Sequence, residues 1–285
     1  MKPTNNRSIS VQINPLHQRL LHALNLGTRY FDEKTNTWKW QCANIEVQKN
    51  VLRSINAFLD SISGDTRASR YTIVKESISD VLGALLYILE GKSGPLLSMA
   101  SNVAVKLVSV LPNSLLQSRI VDLVCCLSSL LSSHQVDVAT DCANALNLAV
   151  SNLSATSEKT VMEALKATGI ATRIVGNIKD FPGGAKKTEY FEQMVSLLST
   201  ILWRWPQSRF PVWSDVKLMK ALADMHTTTD SSVKLVLLKV YTSLVKKLIE
   251  DGVFVGMVVQ AMEKSNPQEV RIEGFKLARC LLVIN

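Results

Sequence analysis

The stretch VDVATDCANALNLAVSNLS, Val136–Ser154, decides the fold of this chain. Val136, Ala139, Ala143 and Leu146 recur at i, i+3, i+7 and i+10, which places them on one stripe of an α-helix. Two of the four are alanine, so another helix can approach closely along that stripe. The same spacing returns at Leu97, Ala100, Ala104 and Leu107, and again at Val233, Val236 and Val240, ending at Ser243 with Leu244 beside it. A weaker copy runs through Val270, Glu273, Leu277 and Cys280, supported by Gly274 and Leu281 one residue on. The interval drifts between roughly 37 and 55 residues, in the range of armadillo and HEAT units. Longer helices such as Arg119–Leu131 are expected to pack against these copies.

Outward from these stripes, helical period predicts further helices. The first runs from the Asn14-Pro15 cap pair to about Leu24, and the second is capped by Asn44. Others are predicted at about 72–90, 95–111, 114–132, 135–152, 158–180 with a break near Gly169, 187–205, 214–226, 231–250, 252–264 and 267–283. Residues 28–43 read as irregular, and no segment sustains a period of two, so no sheet is expected. The helix at 231–250 is apolar around most of its circumference, with a narrow polar face at Lys239, Lys246 and Lys247, as suits a helix lying between neighbours. The expected fold is all-α: residues 1–13 a flexible N-terminus, and residues 14–285 one armadillo/HEAT-like α-solenoid of irregular repeats. An irregular α-bundle is the alternative.

Composition agrees with this reading. Hydrophobic residues make up 47% of the 285 and charged ones 20%, which excludes wholesale disorder. The net charge is +8, with both ends basic: residues 1–75 hold eleven Lys and Arg against five Asp and Glu, and residues 183–285 hold fourteen against ten. Such a balance admits nucleic acid, an anionic membrane or an acidic partner, yet no dense Lys/Arg cluster is present. Five cysteines, at 42, 125, 126, 142 and 280, have no CxxC spacing and read as buried free thiols of a reducing compartment. The N-terminus lacks the apolar core of a signal peptide, and no apolar run reaches the length of a membrane span. The expected setting is intracellular, cytoplasm or nucleus.

Chemistry is sparse. His17 and His22 stand five apart, off the spacing that puts two ligands on one helical face, and no HExxH or Cys/His zinc pattern occurs. Gly183-Gly184-Ala-Lys-Lys lacks P-loop spacing, and no GxSxG is present. No catalytic residue, cofactor or metal is assigned. The candidate partner site comes from the run TILWRWPQSRFPVW, residues 200–213. On the preceding helix Phe191, Val195, Leu198, Leu202 and Trp205 form a core stripe, and Pro206 ends the helix. Trp213 precedes Ser214, a good N-cap, and can staple onto Leu218. Trp203 instead shares a face with Glu192, Ser196 and Ser199. It either packs under the 206–213 loop or marks a partner site flanked by Arg204 and Arg209, since Trp and Arg are favoured anchors. Lys239 and Lys246 complete the candidate set.

Four runs carry a family resemblance: INPLHQRLLHALNLGTRYFDEKTNTWKWQCANIEVQKNVLRSINAFLDSISGD (13–65), VLPNSLLQ (110–117), LSSLLSSHQVDVATDCANALNLAVSNLS (127–154) and LLSTILWRWPQSRFPVW (197–213). They resemble the N-terminal region of plant BTB/POZ-domain proteins with armadillo-like repeats. The resemblance implies a non-catalytic protein-interaction scaffold, the repeat region of a substrate adaptor for a cullin-3 ubiquitin ligase, without the BTB domain itself. A nucleic-acid-binding helical repeat protein using the basic ends is the alternative function. The chain ends on Leu281-Leu282-Val283-Ile284-Asn285 with no polar cap. The expectation is a truncated or short-isoform chain that self-associates through an apolar patch around Leu277, Leu281 and Leu282.

Overall fold

The computed structural model describes residues 15–63, 68–180, 188–205, 215, 217–218, 220–222, 235, 237–240 and 252–283. The chain divides into two compact units, residues 1–123 and 124–285.

In the first unit Pro15 opens α1 (Pro15–Asn25), which buries Leu20, Ala23 and Leu24. His17 is buried as well: its Nε2 lies 2.7 Å from Ser77 Oγ, and its ring tilts onto Phe58. Helix α2 (Ile45–Ile62) starts where expected, because Asn44 Oδ1 accepts from the amides of Glu46 and Val47 at 2.9 and 3.3 Å. Its face of Val51, Leu52, Ile55, Phe58, Leu59 and Ile62 packs on α1, on α3 (Ala68–Glu90) and on α4 (Gly94–Val110). Pro95 occupies the first turn of α4, and the stripe Leu97, Ala100, Ala104 and Leu107 is buried as the repeat spacing requires. Each such leucine contributes about 1.5–3 kcal/mol by leaving water.

The expectation of no sheet is overturned. Strands β1 (Thr28–Asp32) and β2 (Thr37–Gln41) pair antiparallel, with Arg29 opposite Trp40 and Phe31 opposite Trp38. One face of the hairpin therefore carries Arg29, Phe31, Trp38 and Trp40. The turn is built by Asp32, whose Oδ1 accepts from the Lys34 amide and whose Oδ2 accepts from Thr35 Oγ1, both at 3.0 Å; Asn36 takes a positive φ of 51°. Strand β2 packs on α3 through Trp40, which is 2% exposed and donates from Nε1 to the Leu24 carbonyl at 2.8 Å. Alternation was hidden because each strand has five residues and the inner face holds an arginine, paired with Asp80 at 2.5 Å.

A second correction concerns residues 114–132. They form two helices, α5 (Asn113–Leu116) and α6 (Ile120–Leu130), separated by a turn in which the Arg119 amide bonds the Leu116 carbonyl. The boundary between the units falls inside α6.

The second unit continues with α7 (Val136–Ser151), α8 (Ala155–Ala167), α9 (Ile170–Lys179) and α10 (Thr188–Arg204). The break near Gly169 is present, with φ of 67° at that glycine. Ala139, Ala143 and Leu146 are fully buried, and Val136 is half-buried. Helix α10 packs on α7 and α9. Cys126 and Cys142 are buried free thiols, and burial pushes the Cys142 thiol well above its ordinary range.

Further along, Leu237 and Val240 are buried, while Leu235 and Leu238 are exposed rather than enclosed by neighbours. Helices α11 (Gly252–Ala261) and α12 (Gln268–Val283) form a pair. The fourth stripe is only partly kept. Gly274 packs against Ala261 and Met262, but Val270, Ile272 and Phe275 are exposed. The side chains of Glu273, Leu277, Cys280, Leu281 and Leu282 lie outside the described residues, as do Val233, Val236, Ser243 and Leu244.

Candidate partner site on helix α10

Helix α10 is positioned by its apolar side. Phe191, Met194, Val195, Leu197, Leu198, Ile201 and Leu202 are all buried, so every residue between them is turned toward the polar face. Two turns of that face are tied to α7: Asn147 Nδ2 donates to Ser196 Oγ at 2.9 Å, and Thr200 Oγ1 donates to Asn147 Oδ1 at 2.5 Å. These bonds fix both the rotation and the axial position of α10.

The next turn carries the candidates. Trp203 is 57% exposed, and Arg204 is half-buried. Of the two readings of Trp203, the one that packs it under the 206–213 loop involves residues outside the described ones. Arg204 is not a free flanking cation. Its Nη1 donates to Glu158 Oε1 at 2.9 Å and its Nη2 to the Ser151 carbonyl at 2.7 Å. The guanidinium thus joins the end of α10 to the last turn of α7 and the first turn of α8, and caps an otherwise open carbonyl. Carboxylate and carbonyl bonds together fix the end of α10 beside Trp203.

Trp205 departs from its expected place in the core stripe. It lies just beyond the helix, half-buried, with its amide bonded to the Ile201 carbonyl at 2.8 Å and Lys166 Nζ 5.9 Å from its ring centroid. An ammonium at that distance gains from the ring's negative face. Lys239 is exposed on a helical segment. Arg209, Lys246, the 206–213 loop, Trp213 and Ser214 lie outside the described residues. Sequence reading missed Asp215, whose Oδ1 accepts from the Leu218 amide at 2.9 Å and whose Oδ2 pairs with Lys179 at 2.8 Å. The Lys179 hydrogen bond holds the Asp215 carboxyl below its usual range. Asp followed three residues later by the first buried leucine was the available signal.

Packed pairs of short helices that recur with small residues at their contacts are the architecture of the armadillo-like class of helical repeat proteins. Residues 133–248 match the plant ARM repeat family. The chain is 41% identical over 291 residues to a BTB/POZ domain-containing protein of Arabidopsis thaliana, a match covering 97% of this chain. The chain spans 29% of that relative's length. Solved structures give the same fold. An engineered protein aligns over 96% of this chain and 98% of its own with a TM-score of 0.59 at 15% identity. A computationally designed armadillo repeat protein for modular peptide recognition aligns over 94% and 99%, with a TM-score of 0.58 at 14% identity. A designed armadillo repeat protein in complex with the peptide (KR)4 aligns over 95% and 99%, with a TM-score of 0.57 at 15% identity. Among the described residues no helix is long and apolar enough to cross a membrane.

Proposed function

We propose that this chain is a non-catalytic protein-interaction scaffold that receives a protein segment at the end of α10. One observation carries the reading: an indole 57% exposed stands on a helix whose rotation is fixed by side-chain bonds to α7 and whose end is fixed by the Arg204 clamp. An exposed tryptophan on a fixed helix offers a large contact area with few rotatable bonds, and tryptophan is enriched among interface hot spots. The armadillo fold and the two designed peptide-recognition relatives support the class of ligand. The Arabidopsis relative's name supports a finer reading. In a longer protein, this segment receives the substrate for a BTB-type adaptor of a cullin-3 ubiquitin ligase in the cytoplasm or nucleus.

The test is direct binding. Peptide arrays probed with the chain identify a ligand, and titration then compares wild type with Trp203→Ala. A hot-spot residue costs at least about 2 kcal/mol, so binding should weaken roughly thirtyfold with melting unchanged. Sequence-selective RNA or DNA binding that survives near-physiological salt would instead favour the nucleic-acid reading suggested by the charge of +8.

A further inference from the structure

Helices α7 and α10 carry charge of the opposite sign to the chain as a whole. The chain is +8, yet α7 holds Asp137 and Asp141 with no Lys or Arg, and α10 holds Glu189 and Glu192 with Arg204 as its one cation. Arg204 is engaged by Glu158 and the Ser151 carbonyl. Of the cations on neighbouring helices, Lys166 lies over the Trp205 ring and Lys179 pairs with Asp215. Asn147 bonds Ser196 and Thr200, and Arg204 bonds Ser151, so positions 49 or 53 apart meet and the two helices run parallel. Asp137 is therefore level with Glu189, and Asp141 with Glu192. Both rows lie opposite the buried sides of their helices, and Trp203 continues the α10 row at its far end. Asp137, Glu189 and Trp203 are exposed, and Asp141 and Glu192 are half-buried. Neither Asp137 nor Glu189 has an ion-pair partner among the described residues.

We propose that the protein segment received at Trp203 is basic; this rests on the reading of Trp203 as a partner anchor and adds the partner's chemistry. Carboxylates in two level rows, with no Lys or Arg between them, set a negative potential along the path that leads to the indole. Like charge brought against that face disfavours an acidic segment, and disfavours a phosphate backbone for the same reason. Glu189 precedes Trp203 by about four turns, roughly 21 Å of helix. An extended segment of about seven residues covers that length. Its apolar side chain meets Trp203 at one end, and its Lys or Arg side chains meet Asp137 and Glu189 at the other. Exposed charge pairs of this kind add up to about fivefold each in affinity, and chiefly select the partner and speed its arrival.

The whole chain is tested on three arrays of octapeptides, alike in their apolar residues and differing in whether the polar positions hold Lys and Arg, Gln, or Glu. The basic array should bind most strongly. Its best ligand should weaken roughly tenfold for Asp137→Asn with Glu189→Gln, at an unchanged circular dichroism spectrum, and should weaken again as added salt screens the charges. Asp137→Lys with Glu189→Lys should move the preference to the Glu array, an outcome that loss of folding cannot produce. Best ligands that are neutral or acidic, that weaken on Trp203→Ala and ignore the carboxylate changes, overturn the proposal and leave the Trp203 site in place. A basic ligand that needs the carboxylates but ignores Trp203→Ala keeps the basic partner and overturns Trp203 as its anchor. Silence on all three arrays, or a basic ligand indifferent to every one of these changes, overturns both.

Discussion

Substituting Gly27 by alanine should unseat Trp40 and loosen the hairpin. A Cβ built at Gly27 falls 2.3 Å from Trp40 Cε2, 2.4 Å from Cζ2 and 2.5 Å from Nε1, inside any tolerable contact. The ring cannot yield cheaply. Its body is 2% exposed, its Nε1 is bonded to the Leu24 carbonyl, and it meets Tyr87 edge-on at 5.6 Å. Overpacking of this kind costs about 1–3 kcal/mol, and losing the indole hydrogen bond adds about 1. Against this, alanine restricts the unfolded chain and returns about 0.4–1 kcal/mol. The net loss is about 1–3.5 kcal/mol, with its midpoint below the roughly 3–5 expected for Trp40→Ala, which deletes the ring. Chemical denaturation followed by tryptophan fluorescence reads the loss, and a double-mutant cycle isolates its cause. In a Trp40→Leu background the cost of Gly27→Ala should largely vanish. Equal destabilisation in both backgrounds would refute the reasoning, since the clash would then lie elsewhere.

Arg204→Lys should destabilise by about 1–2 kcal/mol in thermal melts, because lysine cannot serve Glu158 and the Ser151 carbonyl together. Trp205→Ala should destabilise more than Trp203→Ala, whose ring is exposed; equal losses in parallel melts would remove Trp203 from the surface. The Asp32 carboxyl, held down to about 2 by hydrogen bonds from Lys39 and Thr35, stabilises the fold once ionised above its unfolded value near 4. That contribution fades as pH falls from about 4 through 2, and Asp32→Asn should flatten the acid limb of a stability profile by that amount. Cys142 should resist iodoacetamide at neutral pH until the chain is unfolded, as mass spectrometry of labelled peptides will show.

What sequence reading could see was whatever repeats with helical period. Asn44, Gly169 and the alanine-bearing stripes at 97–107 and 139–146 were legible because capping, left-handed backbone and i, i+3, i+7 burial each leave a local signature. The hairpin was not, because its inner face mixes Arg29 with aromatics and its contacts on α3, Asp80 and Tyr87, lie far along the chain. The core stripe of α10 was legible as far as Leu202. Trp205 fitted the arithmetic of that stripe but lay past the helix end, where period no longer governs direction. The Arg204 clamp was invisible for a similar reason: Glu158 and Ser151 reach it only through tertiary packing, from 46 and 53 positions away.

Residues 202 to 204 take three different directions within one turn. Successive helix positions turn by about 100°, so two neighbours on the same turn cannot share a direction. Leu202 takes the core, Arg204 takes the clamp to α7 and α8, and Trp203 is left with the outward direction between polar neighbours. Moving the indole into the core would require rotating α10, and that rotation would break the Thr200–Asn147 and Arg204–Ser151 bonds together. The exposure of Trp203 is therefore imposed by the bonds around it. That fixed, largely exposed position supports the proposal that Trp203 meets a partner, which the Trp203→Ala titration tests.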